Sequence, residues 1–592
     1  MNLRSRIDLD SHPTSAKEAR RLLADIHEQE LRIVEDDFER RKNRTQNFYE
    51  YIQRQLNHPS QVLPELIQNA DDIQVCDTVQ ITLTEDALRV RNNGRPMKAE
   101  EVDTLCAAGE STKHDPEYIG HFGLGFKSVF SISDNPRVKS GYFHFEFDSD
   151  RLTVPKILDT SEPINGTEIE LPLKDDISVE ERTELEERIE NVHRLLPYLQ
   201  NVSEIEVKQR EKTNVYRQKS TPESPEQVIY RDGTLMERRL SFTTEKRPRS
   251  EVLQQLLDER RIEDTASVKE SPISVTISFE VDESHTPVSE EGDGYLYNFL
   301  PTDERSGFPF DVHADFLLEP TRKSLAQRDG RYNQWLLQRV GDAFRKVIEY
   351  YRDRPTPQVG HLRLLPSVQH GQDHTDASKE AVEEAIRTEK SIPGDDEGYH
   401  RPSQIVIPSP HVERVFTKSD VGYLLGRDIQ YPSGVLDQAL ISTLRERGLV
   451  TPVSIEQVLK ESEASVRKGF SDADTAHLIV LAAALWDYWE SEYRSISRFS
   501  NKRDDRDEFE RVIKETPIVP LESGERIAVA STPTEAMLPP TQGRSAYEIF
   551  EDEFQFVQLT LDTLPDEYPS DPSEVLDEAR SLYSDVLGIE TI

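Results

Sequence analysis

Three short motifs between Glu65 and Lys127 limit the possible folds and functions of this chain more than any other feature. Each motif could form part of the same binding site. The first, E-L-I-Q-N-A-D-D, begins at Glu65, and the second, N-N-G-R-P-M, begins at Asn92. The third, G-H-F-G-L-G-F-K, ends at Lys127. Each motif alone is common, but their order and spacing together predict a site for a nucleotide and a divalent cation.

The first motif predicts a helix with a polar face. Glu65, Asn69 and Asp72 stand at positions i, i+4 and i+7, so they share one side of that helix. A carboxylate can take a proton from water, and an amide oxygen is a hard ligand of the kind Mg²⁺ accepts. We therefore predict Glu65 as a general base and Asn69 as a metal ligand; the alternative is an ordinary amphipathic helix with a solvated face.

The third motif is rich in glycine and leads into a predicted helix at Phe126. Gly120, Gly123 and Gly125 allow backbone N–H groups to approach phosphate oxygens, and the helix N-terminus adds positive potential. The alternative is a tight turn before a buried helix. The spacing differs from the dinucleotide-binding fingerprint.

Alternating residues predict a hairpin of Thr78 to Thr84 and Ala87 to Arg91 about Glu85-Asp86. The second motif ends the second of these strands and turns at Asn92-Asn93-Gly94. An amide at such a strand end can pair with adenine, because it offers both an acceptor and a donor. The alternative is a plain turn, for which these residue types are typical.

The three motifs together resemble the GHKL ATPases, which include gyrase B, the ninety-kilodalton heat-shock chaperone, histidine kinases and MutL. The first motif matches the N box of that family, Ile119 to Phe126 is similar to the second glycine box of the chaperone, and Gly166 to Leu171 resembles a late G-T strand. The segments Leu105 to Lys113 and Tyr118 to Phe130 look most like the sacsin and NO VEIN branch.

This resemblance implies ATP and Mg²⁺ as ligands and Thr167 as support for the adenine pocket. Two departures stand out, since Asn92 replaces the aspartate of the wider family and Pro96 replaces its second glycine. The residues that the resemblance and the motifs place at the nucleotide are Asn69, Asp72, Asn92, Gly94, Met97, Ser111, Thr112, Lys113, Gly120, Gly123, Leu124, Gly125, Phe126, Lys127 and Thr167.

Two further segments resemble moving parts of that family. The polar loop Gly109 to Tyr118 lies where the family carries its ATP lid, and the alternative is a plain connector. A predicted strand from Phe308 delivers Arg322 and Lys323, which resemble the basic residue that the middle domain of the chaperone sends to the γ-phosphate. The alternative for this pair is a salt bridge at a helix start.

The pattern of elements predicts an α+β fold. We expect an N-terminal GHKL-type (Bergerat) α/β sandwich, a mixed α/β middle domain and a smaller α+β C-terminal region. The predicted boundaries are 1–39 for an N-terminal helical segment, 40–200 for the ATP-binding domain, 201–352 for the middle domain, 353–400 for a linker and 401–592 for the C-terminal region.

Charge limits the partners of the chain. Its formal net charge is −40, from 112 acidic and 72 basic residues, and the acid is spread along the whole sequence. This distribution favours a salt-adapted cytoplasm over an acidic tail that seeks basic partners, and it disfavours nucleic acid. No signal peptide or membrane-length apolar run is expected, and Cys76 and Cys106 have no metal-site spacing.

Three functions remain open from the sequence. The first is a sacsin-like or chaperone-like ATPase that acts on an unknown protein client or partner, with a possible ATP-dependent homodimer by family analogy. The second is a nucleotide-gated interaction module with little turnover, which includes a component of a defence system. The third is a DNA-directed GHKL enzyme, against which the acidity argues.

Overall fold

The computed structural model describes residues 12–39, 62–73, 75–106, 125–149, 151–159, 162–221, 223–252, 272–288, 294–298, 300–319, 324–326, 330–366, 375–461, 474–494, 503–530, 536–540, 554–560 and 571–591. The chain forms two compact units. The first comprises Met1–Glu349 and Gly360–Ala385, and the second comprises Tyr350–Val359 and Ile386–Ile592.

One mixed sheet forms the frame of the first unit, and fourteen strands belong to it within the described residues. They are β1 (Thr78–Leu83), β2 (Ala87–Asn92), β3 (Arg137–Gly141), β4 (Phe143–Asp148), β5 (Arg151–Ile157), β6 (Ile164–Pro172), β7 (Glu204–Gln209), β8 (Lys212–Ser220), β9 (Glu226–Arg231), β10 (Thr234–Lys246), β11 (Ile273–Glu280), β12 (Tyr295–Asn298), β13 (Leu300–Arg305) and β14 (Asp311–Ala314).

The sheet runs without a break from the first predicted domain into the second. Its order is β13-β12-β14-β11-β10-β9-β8-β7-β1-β2-β6-β3-β4-β5. The join is a parallel pairing of β1 with β7, in which Val79 lies opposite Ile205. On the other side, β1 forms the expected antiparallel hairpin with β2, and β2 pairs with β6.

Helices cover one face of this sheet. Strand β1 alternates buried and more exposed residues, which is typical of a sheet with one covered face. The core joins these strands to the apolar stripes of two helices that include Leu23, Ile26, Leu66 and Ile67. The helices of the first unit are α1 (Ala16–Glu39), α2 (Val62–Asp71), α3 (Ala99–Cys106), α4 (Val179–Glu190), α5 (Arg331–Arg352, which continues into the second unit), α6 (Gly360–Arg363) and α7 (Asp376–Thr388), with 3-10 helices at Gly125–Ser131 and Val192–Tyr198.

The second unit is built around one apolar helix. Helix α12 (Thr475–Tyr493) buries residues on all sides, as expected for a helix in the middle of a core. The core of this unit also contains residues of α8 (Pro410–Glu413), α9 (Lys418–Leu424), α11 (Ile455–Glu461), α13 (Arg503–Glu515) and α14 (Pro572–Ser581), which continues as a π-helix at Leu582–Val586. Helix α10 (Gln438–Glu446) belongs to the same unit. The short strands of this unit are β15 (Ile392–Pro393), β16 (Tyr399–His400), β17 (Val406–Pro408), β18 (Thr451–Val453), β19 (Val519–Pro520), β20 (Arg526–Ile527), β21 (Ala536–Met537) and β22 (Gln555–Phe556).

The α+β class is confirmed, but the compact units follow other boundaries than the predicted domains. Residues 40–200 and 201–352 share one sheet, because the long-range pairing of β1 with β7 leaves no gap in its hydrogen bonds. The predicted linker 353–400 contains α6, α7, β15 and β16, and its residues are divided between the two units. Helix α4 ends at Glu190, and a 3-10 helix with an internal proline follows it.

Candidate functional site

Helix α2 carries the first motif on a largely enclosed face. Glu65 is only 6% exposed, while Asn69 and Asp72 are half-buried. Pro64 lies in the first turn of the helix, where the missing N–H group costs no helical hydrogen bond. Glu65 and Asn69 therefore share one side of α2, where the carboxylate is shielded from bulk water, and Asp72 lies one residue beyond the end of the helix.

Asp71 binds the backbone of a distant turn, and the sequence analysis did not predict this structural role. Its carboxylate accepts hydrogen bonds from the backbone N–H groups of Gln200, Asn201 and Val202, at 2.8, 2.7 and 2.8 Å. Burial raises the pKa of this carboxyl, and the three N–H donors oppose that rise. Asp71 thus fixes the end of α2 to the turn before β7.

The turn at 200–202 leads to a second buried polar cluster in the same unit. Tyr198 donates a hydrogen bond to Asp311 on β14 at 2.8 Å, and Arg239 on β10 binds the same oxygen at 2.7 Å. The ring of Tyr198 also stacks on His313, with 5.3 Å between ring centres. Asp71 and this cluster together link α2 to the strands of the predicted middle domain.

The second motif and the late G-T strand meet through hydrogen bonds. The amide oxygen of Asn92 accepts from the backbone N–H groups of Gly94 and Thr167, at 3.1 and 3.3 Å. The hydroxyl groups of Thr167 and Ser140 lie 2.7 Å apart. The Ser140 hydroxyl oxygen also accepts a hydrogen bond from the Met97 N–H group at 2.7 Å. Four predicted site residues, Asn92, Gly94, Met97 and Thr167, are therefore brought together around Ser140.

Strand register explains this cluster. Thr167 lies opposite Asn92 on one side and opposite Ser140 on the other, so β2, β6 and β3 present these residues side by side. Ser140 is fully buried, and sequence reasoning missed it. Ser140 lies in β3, and a position in a strand names no partner until the register of β3 with β6 is known.

Two glycines in this cluster are required by close contacts. A Cβ atom on Gly94 would lie 2.8 Å from Ile73 and 3.1 Å from Cys76. A Cβ atom on Gly166, where φ is +79°, would lie 2.0 Å from the carbonyl oxygen of Asn92. Side chains at these positions would push Asn92 away from its strand neighbour.

The glycine-rich motif is described only from its last residues. Ser111, Thr112, Lys113, Gly120, Gly123 and Leu124 lie outside the described residues, as do Arg322 and Lys323. Gly125 begins the 3-10 helix, which packs against α2. The end of the third motif and the first motif are therefore neighbours in space.

Phe126 and Lys127 point into the interior, which corrects their prediction as nucleotide contacts. Phe126 packs on Phe147 in the core, with 5.7 Å between ring centres. The Lys127 side chain is fully buried, and its ammonium group donates to the carbonyl oxygen of Leu105 at 2.7 Å. Burial lowers the pKa of Lys127 to about 8, although the charge of Glu30 opposes this shift.

The described residues fit a cation that is held jointly with a ligand. Asn69 offers a hard oxygen donor beside Glu65 on one side of α2, and Mg²⁺ accepts such a donor. Within the described ranges, no group of three or more His, Cys, Asp or Glu side chains is arranged to hold a metal ion. A Mg²⁺ ion at this position would therefore need further oxygen ligands, such as those of phosphate groups and water.

The comparisons with known proteins concern one segment of the chain. No family model matches it. The chain is similar to the protein NO VEIN of Arabidopsis thaliana, with 39% identity over 121 residues. That segment is 20% of this chain, and the chain spans 4% of the length of this relative. The described part of the chain contains no helix that is long and apolar enough to cross a membrane.

Proposed function

We propose that the first unit binds ATP together with Mg²⁺ and hydrolyses it, as an ATPase of the GHKL type. The observation that carries this proposal is the cluster of Asn92, Gly94, Met97 and Thr167, because the second motif and the late G-T strand meet there through hydrogen bonds. The partial similarity to NO VEIN adds support. The packing of α2 against the 3-10 helix at Gly125–Ser131 brings the remaining motif ends together.

Base recognition in this proposal depends on Asn92. Its amide oxygen already accepts two backbone N–H groups, which fixes the orientation of the amide. The N–H₂ group is then the part that faces a ligand, and it suits a ring nitrogen of adenine. Thr167 and Ser140 support the base indirectly, since their hydroxyl groups hold β6 and β3 against the turn at Met97.

Hydrolysis in this proposal depends on the face of α2. The Glu65 carboxylate takes a proton from the attacking water, and its enclosed position excludes competing solvent. Asn69 holds Mg²⁺, which would neutralise part of the phosphate charge. Asp72, one residue beyond the end of α2, would contact the nucleotide, as the resemblance implies.

ATP binding would act on the rest of the unit through α2. Asp71 holds the turn at 200–202, and Tyr198 beside that turn binds Asp311 in the middle strands. A movement of α2 would therefore shift the turn at 200–202 and, through Tyr198, the residues of β14 and β10 that it contacts. By resemblance, the proposed work is a conformational change on an unidentified protein partner. Size-exclusion chromatography with and without ATP tests the homodimer that the resemblance also implies.

A second candidate is a nucleotide-gated module with little turnover. The interior position of Lys127 favours it, because one cation that the sequence placed at the nucleotide donates a hydrogen bond to the Leu105 carbonyl group instead. Pro96 also removes one backbone N–H donor from the turn beside the site.

Phosphate release separates these candidates. ATP binding and phosphate release are measured with Mg²⁺ at several salt concentrations, on the wild-type protein and on Glu65→Ala. An ATPase is expected to lose about 10²- to 10⁴-fold of its release in the variant, while ATP still binds. Glu180→Ala is the matched control, because Glu180 also lies in the first turn of a helix. If the wild-type protein and both variants bind ATP but release no phosphate, the result would favour the gated module.

A further inference from the structure

Gln68 is a buried amide on the candidate catalytic face. Its side chain is only 4% exposed. Neither its amide oxygen nor its amide nitrogen has a hydrogen-bond partner in the part of the chain that the structure describes. Leaving a buried polar group unsatisfied costs about 1–3 kcal/mol, so folded proteins keep few of them without a reason.

The position of Gln68 connects it with Glu65. The two residues are three apart on α2, so their side chains are neighbours on the helix surface. Both are nearly enclosed by protein. A water molecule or phosphate oxygen that reaches Glu65 would therefore also come within reach of the Gln68 amide.

A second buried group lies on the element that faces α2. Ser128 is in the 3-10 helix at Gly125–Ser131, which packs against α2, and its side chain is 1% exposed. Its hydroxyl group has no hydrogen-bond partner among the described residues. Two neighbouring elements, both from the predicted nucleotide motifs, thus carry polar groups whose hydrogen-bonding capacity is unused.

We infer that Gln68 is a further catalytic residue, which orients the attacking water beside Glu65, and that Ser128 donates a hydrogen bond to a phosphate oxygen of the bound nucleotide. This inference rests on the proposed ATPase function. The Gln68 amide oxygen accepts one hydrogen of the water and its N–H₂ group donates to a γ-phosphate oxygen, so the water is held between base and phosphorus.

The proton and bond changes in this step are simple. The water gives its second proton to the Glu65 carboxylate, and its oxygen forms a bond to the γ-phosphorus. The bond from that phosphorus to the bridging oxygen breaks, which leaves ADP and inorganic phosphate. Gln68 exchanges no proton, and its contribution is to reduce the freedom of the water in the transition state.

The first test is Gln68→Met, which replaces the amide with an unbranched apolar side chain of similar length. Without nucleotide, the melting temperature is expected to stay equal or rise, because no satisfied hydrogen bond is lost. With Mg²⁺, the Kd for ATP is expected to change by less than about threefold, whereas phosphate release falls at least about tenfold. A lower melting temperature without nucleotide, or unchanged release, would overturn the role of Gln68.

Ser128→Ala and Ser133→Ala form a matched pair for the second group. Ser133 is also fully buried with a hydroxyl group that lacks a hydrogen-bond partner among the described residues, but it lies beyond the 3-10 helix. Only Ser128→Ala is expected to weaken ATP binding, by about tenfold for one lost hydrogen bond. Equal ATP affinity in the two variants would overturn the role of Ser128. A wild-type protein that binds no ATP would instead refute the proposed function itself.

Discussion

Replacing Gly166 with alanine tests whether the close approach of β6 to Asn92 holds the candidate base site together. The new Cβ atom would lie 2.0 Å from the Asn92 carbonyl oxygen, whereas ordinary contacts begin near 3.4 Å. The two strands must therefore separate by more than an ångström. That movement breaks the hydrogen bond that the Asn92 side chain accepts from the Thr167 N–H group across the two strands.

The expected cost has two parts that a control separates. Alanine with a positive φ costs about 1–2 kcal/mol, of which about 0.4–1 kcal/mol is recovered through a less flexible unfolded chain. Gly233 has nearly the same backbone angle, +81° against +79°, but no atom lies within 4 Å of its added Cβ atom. Gly233→Ala should therefore cost about 1 kcal/mol, which is the contribution of the backbone angle alone.

For Gly166→Ala, the steric contact and the lost hydrogen bond between Thr167 and Asn92 bring the expected total to about 3–5 kcal/mol. Thermal unfolding followed by circular dichroism measures both variants at the same salt concentration, and hydrogen exchange in β2 and β6 gives the local effect. ATP affinity should fall in Gly166→Ala and remain unchanged in Gly233→Ala. Equal destabilisation by the two substitutions would refute the argument from the close contact.

Two other predictions concern charged groups in the same unit. Because the pKa of Lys127 is lowered from 10.5 to about 8, the unfolded chain binds this proton more tightly than the folded one. The free energy of unfolding should therefore rise by up to about 3 kcal/mol between pH 8 and 10.5, and urea titrations should find this rise missing in Lys127→Met but present in the exposed control Lys212→Met. Asp71→Asn should cost about 2 kcal/mol in the same assay, because an N–H₂ group would face the N–H group of Gln200. The exposed control Asp86→Asn should cost less than about 0.5 kcal/mol, and equal losses would contradict the structural role of Asp71.

Local sequence patterns were sufficient for the elements that carry the candidate site. Helical spacing predicted the polar face of α2, and alternation predicted the hairpin of β1 and β2 about residues 85–86. Both patterns depend on neighbouring residues alone, through the periods of helices and strands. The G-T resemblance identified Thr167, which the register indeed brings beside Asn92.

Features that depend on long-range pairing were not predictable in this way. Ser140 enters the site only because β3 pairs with β6 in one register, and no local pattern specifies that register. The parallel pairing of β1 with β7 joins segments more than a hundred residues apart. One sheet therefore continues across the domain boundary that was predicted near residue 200. Lys127 follows a glycine-rich motif that suggests phosphate contact, but the packing of the 3-10 helix turns its side chain into the core.

The most direct test of the nucleotide site is equilibrium binding of ATP to the wild-type protein, measured by isothermal titration calorimetry with Mg²⁺ and again with the metal chelated. We expect one ATP per chain, tighter binding with Mg²⁺, and loss of the Mg²⁺ effect in Asn69→Ala, since the amide of Asn69 is the proposed metal ligand on α2. No saturable binding under either condition, or an undiminished Mg²⁺ effect in Asn69→Ala, would contradict the assignment of this cluster as a Mg²⁺-dependent ATP site.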